Sequence, residues 1–168
     1  MLPLETDLDR ISFLSKKREA ENFRFRAFLK GKDDYKIDLL VHVINKAVEG
    51  QIDCTLYGNC CKILRPCVTS NEIDTLSKID QVSRELFIAR FTEKEAYEEY
   101  LFLKDTPCKY LVSKKCSVYD SRPKDCKSFP HIHKKDFNSR TLSMVECYGI
   151  CPIVFNVMEL LKIEYGFG

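Results

Sequence analysis

Nine cysteines, at positions 54, 60, 61, 67, 108, 116, 126, 147 and 151, constrain this chain more than any other feature. An odd number cannot all pair internally as disulfides. A chain of 168 residues buries enough surface, roughly 68–70% of its unfolded area, to build a core without covalent staples. No signal-peptide pattern opens the sequence Met1-Leu-Pro-Leu-Glu-Thr-Asp-Leu-Asp-Arg, and no apolar run reaches the ~18–20 residues of a membrane span. The expectation is therefore a cytoplasmic protein without a membrane segment, whose clustered thiols stay reduced. Such thiols serve as metal ligands or redox groups more often than as staples.

The spacing narrows the chemistry. No two cysteines stand in the Cys-x-x-Cys register of zinc ribbons or thioredoxin-like sites, and the bacterial ferredoxin run is absent for the same reason. The first segment reads Cys54-Thr-Leu-Tyr-Gly-Asn-Cys60-Cys61, followed by Cys67. Adjacent cysteines rarely bridge to each other, because the small ring strains the peptide, yet they can serve one metal cluster or two neighbouring ones. Gly58 suits a sharp turn of the backbone around such a centre. The second segment carries Cys108, Cys116 and Cys126, stiffened by Pro123 and Pro130, which restrict themselves and the residues before them.

Around these loops the pattern is helical. Residues 6–30 read as one helix, with Leu8, Ile11, Leu14, Phe25 and Phe28 at helical spacings and Gly31 as its stop. A second starts near Asp33 or Asp34, places Ile37, Leu40, Val41, Ile44 and Val48 on one face, and ends at Gly50. Thr69-Ser-Asn-Glu72 and Thr92-Glu-Lys-Glu95 both have capping-box spacing, the first before Ile73, Leu76 and Ile79, the second before Ala96, Tyr97, Tyr100 and Leu101. Residues 152–165 form a further helix with proline in its first turn. Tyr110-Leu-Val and Thr141-Leu-Ser-Met-Val are β-prone, enough for at most a small β element. The expected fold is mainly α: a single helical domain over 1–168, with irregular cysteine-rich metal-binding loops in 54–151 between N-terminal helices and a C-terminal helix.

The residues of the two segments resemble the YkgJ-type cysteine-cluster family, the zinc- or iron-chelating domain. Cys116-Ser-Val-Tyr119, Arg122-Pro123, Cys126 and Phe129-Pro130 follow its Cys-x-Ile-Tyr-x-x-Arg-Pro-x-x-Cys-Arg-x-Phe-Pro half, with Val118 and Lys127 in place of isoleucine and arginine. Cys54, Gly58, Cys60 and Cys61 follow its first half, Cys108 its isolated cysteine, and Cys147-Tyr-Gly its closing element. Tyr57 stands where the family has its second cysteine. Cys67 either compensates for that loss or the site keeps an open position. The resemblance implies a metal-binding protein with iron–sulfur or zinc; the irregular spacing and the adjacent pair favour an iron–sulfur centre or centres, of the 4Fe–4S type, with redox or group-transfer activity open, since some larger relatives are flagellin lysine N-methylases. The implied ligands are Cys54, Cys60, Cys61, Cys108, Cys116, Cys126 and Cys147, with Cys67 as the substitute. The alternative is a zinc-stabilised interaction module without catalysis.

Three further features have two readings each. Cys67 and Cys151 are ligands or small buried hydrophobes. His131 and His133 would share one side of an extended segment, as metal ligands or proton shuttles, or else as exposed neighbours of the site. Residues 104–140 hold ten Lys/Arg against four Asp/Glu, a local +6 in a chain whose net charge is only +2. Compensation of a thiolate-rich centre accounts for this better than nucleic acid, which would want interleaved aromatics. Arg122 is then a loop-positioning or charge-compensating residue. Four phenylalanines at 13, 23, 25 and 28 exceed one core face, leaving room for a protein partner.

Overall fold

The computed structural model describes residues 3–95 and 100–168. It is mainly α, with small antiparallel sheets. In chain order the helices are α1 (Leu8–Lys17), α2 (Glu19–Lys30), α3 (Asp34–Glu49), α4 (Cys60–Ile63), α5 (Ser70–Ile79), α6 (Arg84–Phe91), α7 (Lys124–Ser128), α8 (Thr141–Cys147) and α9 (Pro152–Glu164). The strands are β1 (Cys67–Val68), β2 (Thr92–Lys94), β3 (Leu101–Leu103), β4 (Leu111–Val112) and β5 (Lys115–Cys116). The chain packs as two compact units, one made of Met1–Asp53 with Pro130–Gly168 and the other of Cys54–Phe129. Among the described residues no helix is long and apolar enough to cross a membrane.

The first, helical unit is organised on α9. Its run Pro152–Met158 is buried throughout, which is the pattern of a helix apolar on all sides and enclosed by others. Ile37, Val41, Ile44 and Val48 of α3 form the buried face expected of them, opened by the Asp33 side chain and closed at Gly50. Residues 6–30 are two helices rather than one. The break is at Arg18 (φ −102°, ψ 12°), and its guanidinium there reaches Glu159 of α9. Residues 141–147, read as β-prone, are α8. The Thr141 hydroxyl donates to the Asn138 carbonyl (2.9 Å), and Thr141, Met144 and Val145 are buried. Tertiary burial overrides a β propensity that is weak in any case.

The cysteine unit has its own small core. Ile73 and Leu76 of α5 and Phe87 of α6 meet Val68, Leu103, Tyr110 and Val118, with Cys108 and Cys116 packed against the cluster. The capping box at Thr69 forms in full, Thr69 and Glu72 each satisfying the other's backbone N–H. The second capping-box candidate does not open a helix. Thr92–Lys94 pairs with β3 in the sheet β1–β3–β2, and Leu101 is a β3 residue. The Thr92 hydroxyl instead donates to Ile88 O (2.8 Å), one of the local bonds that make threonine an ambiguous helix signal. Ala96 and Tyr97, the start of that expected helix, lie outside the described residues. The β4–β5 hairpin turns through Ser113 (φ 47°) and Lys114 (φ 69°), two successive left-handed residues as in a type I′ turn.

Candidate metal centre

Four separate stretches of the cysteine unit carry thiols that lie within reach of one another's charge. Cys60 and Cys61 open α4 just after Gly58, whose φ of 57° and close approach leave no room for a side chain. A Cβ there would lie 2.5 Å from the Lys114 carbonyl oxygen. The loop from Cys54 is thereby pressed onto the tip of the β4–β5 hairpin. Cys108 follows, its N–H donating to Cys61 O at 2.7 Å. Cys116 sits on β5 opposite Leu111. Cys126 lies mid-way along α7, entered from the buried Pro123. That helix is tied down at two points: the Lys124 N–H donates to Glu72 Oε1 (2.6 Å), and Asp125 Oδ2 accepts from the Cys67 N–H (3.0 Å).

The ionisation of these thiols is shared. Burial pushes Cys126 up to about 12, and the charges of Cys61, Asp125, Cys108 and Cys116 add to it. Cys108 is raised by burial and then by Cys61, Cys116 and Asp105. Cys116 is raised by burial and Cys61. Every pair among Cys61, Cys108, Cys116 and Cys126 is therefore in electrostatic reach. Cys61 is raised furthest, first through its contact with Cys60 (Sγ–Sγ 3.9 Å), then by burial and the Cys60 charge. Like charges in a half-buried site disfavour joint ionisation, so the metal-free thiols hold their protons.

Other groups pull the opposite way. The backbone N–H groups of Tyr110 and Val118 donate to the sulfurs of Cys108 and Cys116, each two residues on, and favour the thiolate. Arg122 lies over the Tyr119 ring (3.7 Å to its centroid), donates to Tyr119 O (2.6 Å), and favours ionised Cys61 and Cys116. It thus does both things the sequence offered for it, positioning the loop and offsetting charge.

The remaining candidates lie on other elements. Cys67 is on β1, and Cys54 is exposed in a 3-10 turn, Cys54–Leu56. Cys147 ends α8 and Cys151 caps α9, so both belong to the helical unit. Cys147 is pushed up to about 11 by burial and the Glu146 charge, whereas Cys151 is 4% exposed within the helical core. His131 has φ 64°, so the segment that would have aligned it with His133 is not extended. All nine cysteines stand as thiols.

As they stand, no three His, Cys, Asp or Glu side chains among the described residues are gathered closely enough to hold a metal ion. The donor set nevertheless fits a thiophilic metal in its chemistry: converging thiols, N–H donors aimed at sulfur, and a guanidinium beside them. A bound cation would supply the positive charge that the raised thiols lack. Glu72, Asp125 and Asp80 support this arrangement and were not singled out as site residues from sequence. Only Glu72 had a signal, its capping-box spacing.

Helices framing loops that bring several cysteines together define a cysteine-cluster, metal-chelating class of protein. The family described as "Putative zinc- or iron-chelating domain" (CxxCxxCC) matches residues 53–147, and the chain belongs to it. In that spacing Cys54, Cys60 and Cys61 keep their cysteines and Tyr57 replaces the second. No solved structure matches the chain.

Proposed function

We propose that the cysteine unit holds an iron–sulfur centre of the 4Fe–4S type on Cys61, Cys108, Cys116 and Cys126. The observation that carries this is the electrostatic coupling of every pair among those four thiols. Cys60 is the adjacent fifth thiol, and Cys54, Cys67 and Cys147 complete the set drawn from sequence. The irregular spacing and the adjacent pair are unlike common structural zinc modules, which favours iron–sulfur over zinc. When bound, such a centre supplies electron transfer or Lewis-acid chemistry. The chain's own groups lower the cost of the thiolate form without outweighing burial: the Tyr110 and Val118 N–H groups by donation, Arg122 by charge. A reducing compartment, the cytoplasm, suits these exposed and half-buried thiols.

Anaerobic purification tests the reading. Iron and acid-labile sulfide in stoichiometric amounts, with thiolate-to-iron charge-transfer absorption, are expected. Zinc alone, retained after expression in iron-replete cells, would replace it with the zinc-stabilised module.

A further inference from the structure

Cys108 is followed by two residues whose side chains end on one oxygen. The Lys109 ammonium pairs with Asp80 Oδ2, and the Tyr110 hydroxyl donates to the same atom at 2.9 Å. The ammonium also lies over three rings, 3.3 Å from the centroid of Phe91, 4.9 Å from Tyr110 and 5.6 Å from Phe87. Lys109 and Asp80 side chains are 22% and 15% exposed, so this is a sheltered cation–π and ion-pair site rather than a surface contact.

Asp80 is itself held rigidly. It caps α5, and beyond it the Gln81 N–H reaches Lys78 O (3.2 Å) and the Val82 N–H reaches Ser77 O (3.0 Å), with Gln81 at φ 56°. That is the Schellman arrangement with glutamine in the left-handed position. Val82 then packs against the unit's core. Tyr110 closes the chain of contacts, since its ring is anchored on Asp80 while its backbone N–H donates to Cys108 Sγ.

We propose that Asp80 is a positioning residue for the Cys108 sulfur, acting through the Lys109 ammonium and the Tyr110 hydroxyl as a clamp between the apolar core and the thiol site. The clamp rests on the chelating reading above. Cys108 is thus fixed on both sides, its own N–H on Cys61 O and the two following side chains on Asp80. Groups that orient a metal ligand without touching the metal commonly govern affinity by roughly 10–100-fold.

Cobalt(II) titration of the full chain under anaerobic, reduced conditions reads this directly through thiolate-to-cobalt charge-transfer absorption. Asp80→Asn keeps shape and removes charge. It is expected to weaken cobalt(II) binding by about 10–100-fold and to lower or shift the charge-transfer band at saturation. Tyr110→Phe removes only the phenol oxygen and moves affinity in the same direction by a smaller factor, which keeps the test open if Asp80→Asn fails to fold. Ile73→Val trims the same core without touching Asp80 and is expected to leave both band and affinity unchanged. Equal affinity and identical bands in wild type and Asp80→Asn overturn the clamp, as does an Ile73→Val chain that loses as much. A wild-type chain with no thiolate-to-cobalt band overturns the chelating reading itself, and the clamp with it.

Discussion

The two units treat buried polar groups differently. In the helical unit the Lys162 side chain, 4% exposed, is paired with Glu21 and Glu159 at 2.7 Å each, and Glu159 also accepts from the Tyr148 hydroxyl at 2.7 Å. Burial alone would raise the Glu21 carboxyl. The Lys162 hydrogen bond and charge outweigh it and hold the group below its ordinary value. The cysteine unit also shelters an ion pair, Lys109 with Asp80, but its cysteines add half-buried thiols that repel one another once ionised. Arg122 and two backbone N–H groups offset only part of this, and burial and mutual charge leave the thiols raised. The difference teaches that the buried ammonium of one unit is met by carboxylates of opposite charge, while the thiols of the other meet one another and carry a cost on ionisation that the fold offsets only in part.

The largest effect should follow from removing a thiol. Cys126→Ser is expected to cut iron per chain to a small fraction of wild type, whereas Cys151→Ala, in the helical core, leaves iron unchanged; elemental analysis of both decides. Equal iron loss in the two would erase the contrast between the units. Next in size is Lys162→Ala, which takes the buried ammonium from Glu21 and leaves Glu159 with Arg18 and the Tyr148 hydroxyl, and should cost about 1–3 kcal/mol of stability. Urea denaturation measures it, and iron per folded chain should not move.

Gly58→Ala is expected to cost about 1–2 kcal/mol for the left-handed backbone alone, with more from the collision with Lys114 O. Slower and weaker metal uptake, with little change in the helical unit's denaturation, is the outcome that fits. The smallest effect concerns acid. Burial alone would raise the Glu72 carboxyl, but the Thr69 and Lys124 N–H groups, the Thr69 hydroxyl and the Lys124 charge together hold it below its ordinary value. Its contribution is therefore full above the unfolded carboxyl pKa of about 4.3 and is lost as pH falls through the lower folded value. Denaturation of wild type and Glu72→Gln should differ at pH 6 and converge as pH drops below 4. A constant gap across that range would show that Glu72 acts through shape and not charge.

Much of this could be read in the chain. Helices α3, α5 and α9 have the bounds their caps and apolar spacing announce, because those signals are local. The Tyr119, Arg122, Pro123, Cys126 arrangement marked the family before any coordinate did. The failures share a cause. Thr92 carried the same capping-box spacing as Thr69, yet its segment became a strand because β3 offered a partner, and partners are not encoded within a short window. Arg18 interrupts a continuous helical pattern, and its side chain pairs with Glu159, far away in sequence. His131 left the extended conformation that alone would have set it beside His133.

The sequence by itself determined the class: the cysteines with Tyr119, Arg122, Pro123, Phe129 and Pro130 around them carry the resemblance to a chelating family, and the family match over residues 53–147 bears it out. Only the tertiary structure brought Cys61, Cys108, Cys116 and Cys126 within reach of one another's charge. Cys61, Cys108, Cys116 and Cys126 are up to 65 positions apart in the chain, and their coupling arises from burial and proximity that no local pattern carries. The same holds for Asp80, an unremarked helix-end carboxylate until folding brings Lys109 and Tyr110 to it.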